Sequence, residues 1–220
     1  MENEVWTVAQ KCPVQEEMTV SRDAGLGPEN AVTWFSLGQN TEISQERYDR
    51  PVLYLGAAGC AVFLHSEPPV EQTLRAGELL YIPGGTLCGV KSTEGAVYTE
   101  IIPALPPERL SGKVKPGQTV RLSELLQVQP GSVVNLDLVR NAAFRYVLMA
   151  FDAGTGLQPH RAPGNAIVTA VEGSAVVSCE GRDWNLQEGE SFRFSKNSLH
   201  SVTAACGPFK MSLLLVKENA

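Results

Sequence analysis

The sequence predicts an all-β chain built as two tandem β-barrels with a short helical linker between them. Three observations predict it. Short runs rich in Val, Ile, Leu and aromatic residues recur at even spacing, parted by Gly, Pro and Asn turns. Punctuating residues are frequent, with 20 glycines and 14 prolines in 220 residues. The rhythm also repeats. Gly77-Glu78 returns as Gly189-Glu190, an offset of 189 − 77 = 112, and Gly59-Cys60-Ala61-Val62 returns as Gly173-Ser174-Ala175-Val176, an offset of 173 − 59 = 114. At these offsets Cys88 falls on His200 and Glu46 on His160. The change of two is expected to come from a longer hairpin turn at Glu180-Gly181-Arg182-Asp183 in the second copy.

Taken in order, Val5-Trp6-Thr7-Val8 reads as an edge strand, open to pairing between subunits, and Gly25-Leu26-Gly27-Pro28 as a turn. Residues 32–37 are strand-like by their β-branched and aromatic content. Residues 43–50, followed by Pro51, form a loop-to-strand transition. Residues 52–55 and 61–64 flank Gly56-Ala57-Ala58-Gly59 and read as a hairpin. His65-Ser66-Glu67-Pro68-Pro69 closes that unit and places His65 on the surface. Residues 74–82 hold the turn Arg75-Ala76-Gly77-Glu78 and then a strand, and 96–102 are a further strand. Two proline-bearing stretches, 103–107 and 113–117, frame a connection. Ser123-Glu124-Leu125-Leu126 is the helical candidate with Ser123 as its cap, ended by Pro130-Gly131. The expected division is an N-terminal barrel at 1–103, a linker at 104–130 and a C-terminal barrel at 131–220. Strands are expected there at 133–139, 145–152, 166–171, 175–179, 191–194 and 210–216.

Composition narrows the function. A chain 43% hydrophobic and 19% charged can bury a core. Its net charge of −6 argues against nucleic acid or an anionic membrane as a partner, since both ask for a basic face. The acidic start Met1-Glu2-Asn3-Glu4 does not read as a signal peptide. No apolar run reaches the roughly 18 residues of a membrane span. Cys12, Cys60, Cys88, Cys179 and Cys206 are odd in number and form no C-x-x-C pair, so they read as reduced thiols of a cytoplasmic protein.

The most informative stretch is Gly154-x5-His160-x-Ala162-x3-Ala166-x6-Gly173, followed by Gly189-x10-His200. On these residues the chain resembles the cupin superfamily, and specifically a two-domain cupin, or bicupin, over most of 30–102 and 133–217. That family's motifs are G-x5-H-x-H-x3–4-E-x6-G and G-x5-P-x-G-x2-H-x3-N. The second copy keeps Gly154, His160, Gly173, Gly189 and His200. It carries Ala162 where the second histidine belongs and Ala166 in place of the glutamate, and it departs again at Ser195, Asn197 and Ala204. The first copy keeps Gly59, Gly77, Pro83 and Gly85, with Cys88 in the histidine place and Glu46, Tyr48 and Val52 at the other ligand positions. The resemblance implies jelly-roll barrels, and in many members a divalent metal held by three histidines and the glutamate.

The residues themselves point to a ligand pocket at His160, His200, Ala162, Ala166, Asn165 and Phe194 in the C-terminal barrel, with the alanines leaving apolar volume beside the imidazoles. Two imidazoles would hold one divalent metal ion only weakly. The expected role is therefore small-molecule binding without an assigned catalytic residue. The alternative is a metal-dependent enzyme of isomerase or dioxygenase type. In the first copy Glu46, Tyr48 and Cys88 offer an O/O/S set, against which stands a filled core. Monomer and homodimer both remain open. No G-x-S-x-G elbow, phosphate loop or dinucleotide fingerprint occurs.

Overall fold

The computed structural model describes residues 4–27, 30–66 and 68–217. Pro28 of one expected turn, Glu67 of another and the Met1-Glu2-Asn3 start lie outside the described residues. Strand β1 is Val5–Trp6, helix α1 is Val8–Lys11, and β2 is Thr19–Asp23. Then come β3 (Ala31–Leu37), β4 (Thr41–Arg47), β5 (Val52–His65), β6 (Val70–Arg75), β7 (Glu78–Ile82), β8 (Leu87–Ser92) and β9 (Ala96–Ile102). Next are β10 (Arg109–Leu110), β11 (Thr119–Arg121) and helix α2 (Leu122–Leu125). The second half holds β12 (Val133–Arg140), β13 (Phe144–Phe151), β14 (Gly156–Arg161), β15 (Asn165–Glu172) and β16 (Ser174–Cys179). It ends with β17 (Arg182–Gln187), β18 (Ser191–Phe194), β19 (Leu199–Thr203) and β20 (Phe209–Val216).

The chain forms two compact units. The N-terminal unit is Thr7–Pro106 with Gly112–Arg121; the C-terminal unit takes β1, Pro107–Ser111 and the chain from Leu122 onward. Each is an all-β jelly-roll of antiparallel strands. In the C-terminal unit one sheet runs β1-β18-β15-β20-β13-β12-β10 and the other β14-β19-β16-β17. In the N-terminal unit the path is β11-β7-β5-β9-β3-β2, with β8 between β4 and β5, and β6 on the other side of β5. The two paths match strand for strand, with β7-β5-β9-β3-β2 answering β18-β15-β20-β13-β12 and β4-β8-β5-β6 answering β14-β19-β16-β17. The internal repeat is thus a repeat of topology.

One difference is instructive. Val52 to Leu64 is a single strand, not the expected hairpin. Its first part pairs with β7 and β9, its last with β6 and β8, and its register shifts between Gly56 and Ala58. The bend is possible because Gly59 adopts φ +64°, where a Cβ would run into the Gly95 carbonyl oxygen. Gly173 does the same in the second unit at φ +76°, separating β15 from β16, and its Cβ would lie 2.5 Å from the Pro208 carbonyl oxygen.

The two-residue offset has the opposite origin to the one expected. In the second unit β16 and β17 are joined by Glu180-Gly181 alone, at φ 48° and 78°, a tight two-residue turn. In the first unit residues 66–69 lie between β5 and β6. The second copy therefore has the shorter turn.

Further local departures have physical causes. Val5–Trp6 pairs with β18 of the same chain, so this edge is satisfied internally, and Thr7 caps the short helix that follows. Ser123 lies inside α2 rather than capping it. His65 is 5% exposed, not on the surface. One ring nitrogen meets the Gly117 carbonyl at 3.0 Å and the other the Ser66 hydroxyl at 2.9 Å. The segment 112–121, which belongs to the same unit, is what buries it.

The C-terminal core is rich in phenylalanine, with Phe151, Phe192, Phe194 and Phe209 all buried. The N-terminal core instead uses Tyr54, Phe63 and Tyr98.

Candidate functional site

The register of β14 against β19 sets His160 directly opposite His200, after a register shift between Leu157 and His160. The imidazole centroids are 4.5 Å apart and tilted by 55°. His160 is exposed; His200 is only 6% exposed. Each Nδ1–H donates to a carbonyl two residues earlier, His160 to Gln158 and His200 to Ser198, both at 2.8 Å. Because Nδ1 is the donor in both rings, Nε2 carries the free lone pair in both. Burial holds the His200 pKa below its ordinary value; the bond to Ser198 works the other way and neighbouring His160 adds to the lowering. His200 is therefore a neutral acceptor near neutral pH.

The second face of His200 is covered. The Phe194 ring stacks on it at 4.0 Å and 18°. Phe194 meets Phe192 at 5.1 Å, and Phe192 meets Trp184 at 5.0 Å, so an aromatic column runs inward from the histidine pair. Ala166 is the register partner of Phe194 and is 1% exposed in the same cluster. Its small side chain stands where the resemblance would place a carboxylate, and the neighbouring ring lies beside the imidazole. Ala162 packs on the edge of that cluster. Asn165 accepts from the Lys196 backbone N–H at 3.1 Å, which ties the start of β15 to the turn after β18. Of the expected residues, then, His160, His200 and Phe194 come together, Ala162 and Ala166 form wall, and Asn165 braces a turn.

This donor set does not fit a tightly held divalent ion. Zinc-like sites take three or four protein donors, and here two imidazoles stand side by side with Ala162 and Ala166 at further ligand positions of the motif. Among the described residues, no group of three or more His, Cys, Asp or Glu is placed to hold a metal.

The first unit repeats this geometry with different chemistry. Glu46 of β4 is the register partner of Cys88 of β8, after the same kind of shift, between Ile43 and Glu46. These are the positions of His160 and His200. The core behind them is not filled, as the sequence led one to expect. A cavity of about 210 Å³ opens there, walled by Glu46, Tyr48, Tyr54, Cys88, Tyr98 and Glu100. Glu100 is 8% exposed. Burial pushes its carboxyl up to about 7; a hydrogen bond from Tyr54 opposes the rise, and the charge of Glu46 adds to it. Burial likewise pushes the Cys88 thiol up to about 11, against a hydrogen bond from Tyr54 and with a contribution from Glu100. That thiol is protonated and unreactive at neutral pH.

Glu100 escaped the sequence reading because no motif position carries it. Its signal was the one carboxylate in an apolar strand, Ala96-Val97-Tyr98-Thr99-Glu100-Ile101-Ile102. Residues 96–101 are buried on both faces, so that carboxylate had to point into protein.

Comparison with known proteins agrees with this geometry. Residues 147–217 match the family model described as Cupin domain. A Cupin 2 conserved barrel domain protein from Leptotrichia buccalis superposes with a TM-score of 0.86 at 24% identity, over 99% of this chain and 98% of that one. A variant of salicylate 1,2-dioxygenase from Pseudoaminobacter salicylatoxidans gives 0.68 at 15% identity, over 97% and 83%. A variant of oxalate decarboxylase from Bacillus subtilis gives 0.56 at 13%, over 99% and 78%. Among curated proteins none matches this sequence. The family model finds one cupin domain, in the C-terminal half. The fold is that of two tandem cupin-type barrels. At these identities the likeness to solved structures is one of fold.

Proposed function

We propose that this chain is a bicupin with degenerate metal motifs, whose C-terminal barrel binds a small molecule at His160 and His200. The observation that carries the reading is the pair of matched tautomers. Two backbone carbonyls orient the rings so that both Nε2 atoms are free acceptors on adjacent strands. Such a pair suits a ligand that presents hydroxyl or N–H donors. Phe194 and Ala166 supply the apolar wall behind it. In this reading Asn165 holds the turn beside the site.

A screen of small hydroxylated compounds by thermal shift, followed by histidine-detected NMR, tests it. A ligand whose binding perturbs both Nε2 resonances and is lost in His160→Ala supports the reading. Metal-dependent turnover that disappears in His160→Ala would sink it.

A second reading is a divalent-metal-dependent enzyme of isomerase or dioxygenase type, favoured by the fold shared with an oxygenase and a decarboxylase. It requires donors beyond the two imidazoles. Elemental analysis of untagged protein, with His200→Ala as control, separates the two. We expect far less than one metal per chain in both samples. Near-stoichiometric metal lost in the variant would favour the enzyme.

A further inference from the structure

The N-terminal cavity has a consistent chemical character. Every ionisable group on its wall is an acid: Glu46, Glu100, Cys88 and the tyrosines Tyr48, Tyr54 and Tyr98. Among the described residues, no Lys, Arg or His lines it. Phe35 and Phe63 add two further rings to those of the tyrosines. Phe35 and Tyr98 stack at 5.3 Å and 8°, Tyr54 and Phe63 lie 4.4 Å apart, and Tyr98 stands edge-on to both Tyr54 and Phe63. The two carboxylates are graded in depth, with Glu46 exposed at the mouth and Glu100 buried.

We infer that the N-terminal barrel is a binding site for a small organic cation, an amine or quaternary ammonium compound, held between Glu100 and the rings of Phe35, Tyr54 and Tyr98. An anionic ligand would meet two carboxylates and no positive group. A neutral apolar ligand would cover the buried Glu100 carboxyl without giving it a polar partner, a costly arrangement. A cation satisfies both features at once. It forms a charge-assisted contact with Glu100, and it lies against aromatic faces whose quadrupoles attract positive charge. Burial first, and the charge of Glu46 after it, raise the Glu100 carboxyl, and a bound cation would act against both. The volume of about 210 Å³ lies below the roughly 300–1,000 Å³ usual for ligand pockets, so the ligand is small. Tyr54 is the register partner of Glu100 across β5 and β9 and shares the wall with Cys88. This site is separate from the histidine pair and stands or falls independently of it.

The test is calorimetric titration of the whole chain with choline chloride and n-butylamine, against 3,3-dimethylbutan-1-ol (the neutral isostere of choline) and butyrate. Saturable binding of at least one cation is expected, with the neutral isostere and the anion weaker by about tenfold or more. Glu100→Gln should weaken cation binding by about tenfold, and Glu46→Gln by less. His160→Ala separates this site from the other, since it removes binding at the histidine pair while choline affinity stays the same. Equal affinity for choline and its neutral isostere overturns the inference, and that comparison needs no variant. So does preference for butyrate, absence of saturable binding by either cation, or cation binding indifferent to Glu100→Gln in a variant that melts normally.

Discussion

Glu100 sets the most sensitive balance at the scale of single residues. In the folded protein its carboxyl keeps a proton up to about pH 7, whereas an unstructured chain releases it near 4.5. Between those values the unfolded state binds fewer protons than the folded one, so stability falls as pH rises through that window. The full contribution is present below pH 4.5 and is lost above about 7, a change of roughly 3 kcal/mol. Glu100→Gln removes this dependence while keeping the shape. We expect urea unfolding to show the variant more stable than the parent at pH 8, by up to about 3 kcal/mol, and nearly equal to it at pH 4.5. A parent whose stability rises from pH 5 to pH 8 at this site, measured against the variant, would contradict the assignment.

At the scale of elements, two glycines and one lysine hold strands where the sites need them. Gly59 and Gly173 occupy left-handed conformations beside a backbone carbonyl. Gly59→Ala or Gly173→Ala should each cost roughly 1–3 kcal/mol from backbone strain, with more from the carbonyl contact, seen as a lower melting temperature. Lys210, buried on β20, donates from Nζ to the Ser123 carbonyl at 2.7 Å and to Glu172 at 2.9 Å. It therefore fastens α2 to the end of β15. Lys210→Met leaves Glu172, which is half exposed, free to hydrate, but strands the Ser123 carbonyl. A loss of about 1–3 kcal/mol, with faster amide exchange in 122–125, is the expected result.

These same elements show what a sequence can carry. Strands with β-branched or aromatic runs, such as β3, β9, β18 and β20, were legible because burial on a sheet selects those residues. Strands β14, β17 and β19 were not. Gly156-Leu157-Gln158-Pro159-His160-Arg161 is largely solvent-facing and holds a proline, so it shows no alternation to read. The hairpin expected around Gly56 to Gly59 failed for a related reason. Glycines mark a bend as readily as a reversal, and only the pairing of β5 with four other strands tells the two apart.

For the molecule as a whole, the repeat was legible through its glycines and through the positions of His160 and His200, because turn geometry restricts residue choice tightly. The cavity was not, because Glu100, Tyr54 and Tyr98 lie outside every motif position and are joined only by the packing of β5 against β9. The two units have also placed some of their large rings on different strands, although β13 and β20 carry Phe151 and Phe209 as β3 and β9 carry Phe35 and Tyr98. Phe192 and Phe194 on β18 fill the second interior, while Tyr54 and Phe63 on β5, Tyr98 on β9 and Phe35 on β3 line the first.

The shared register has a practical corollary for engineering. Residues 46 and 88 in one barrel stand face to face on the same strands as 160 and 200 in the other, so the pairs are interchangeable addresses. Writing histidine into both with Glu46→His and Cys88→His would mount two imidazoles on the wall that already holds Glu100. The N-terminal barrel would then join two nitrogen ligands to the oxygen ligand that its companion lacks, as a scaffold for an artificial metalloprotein.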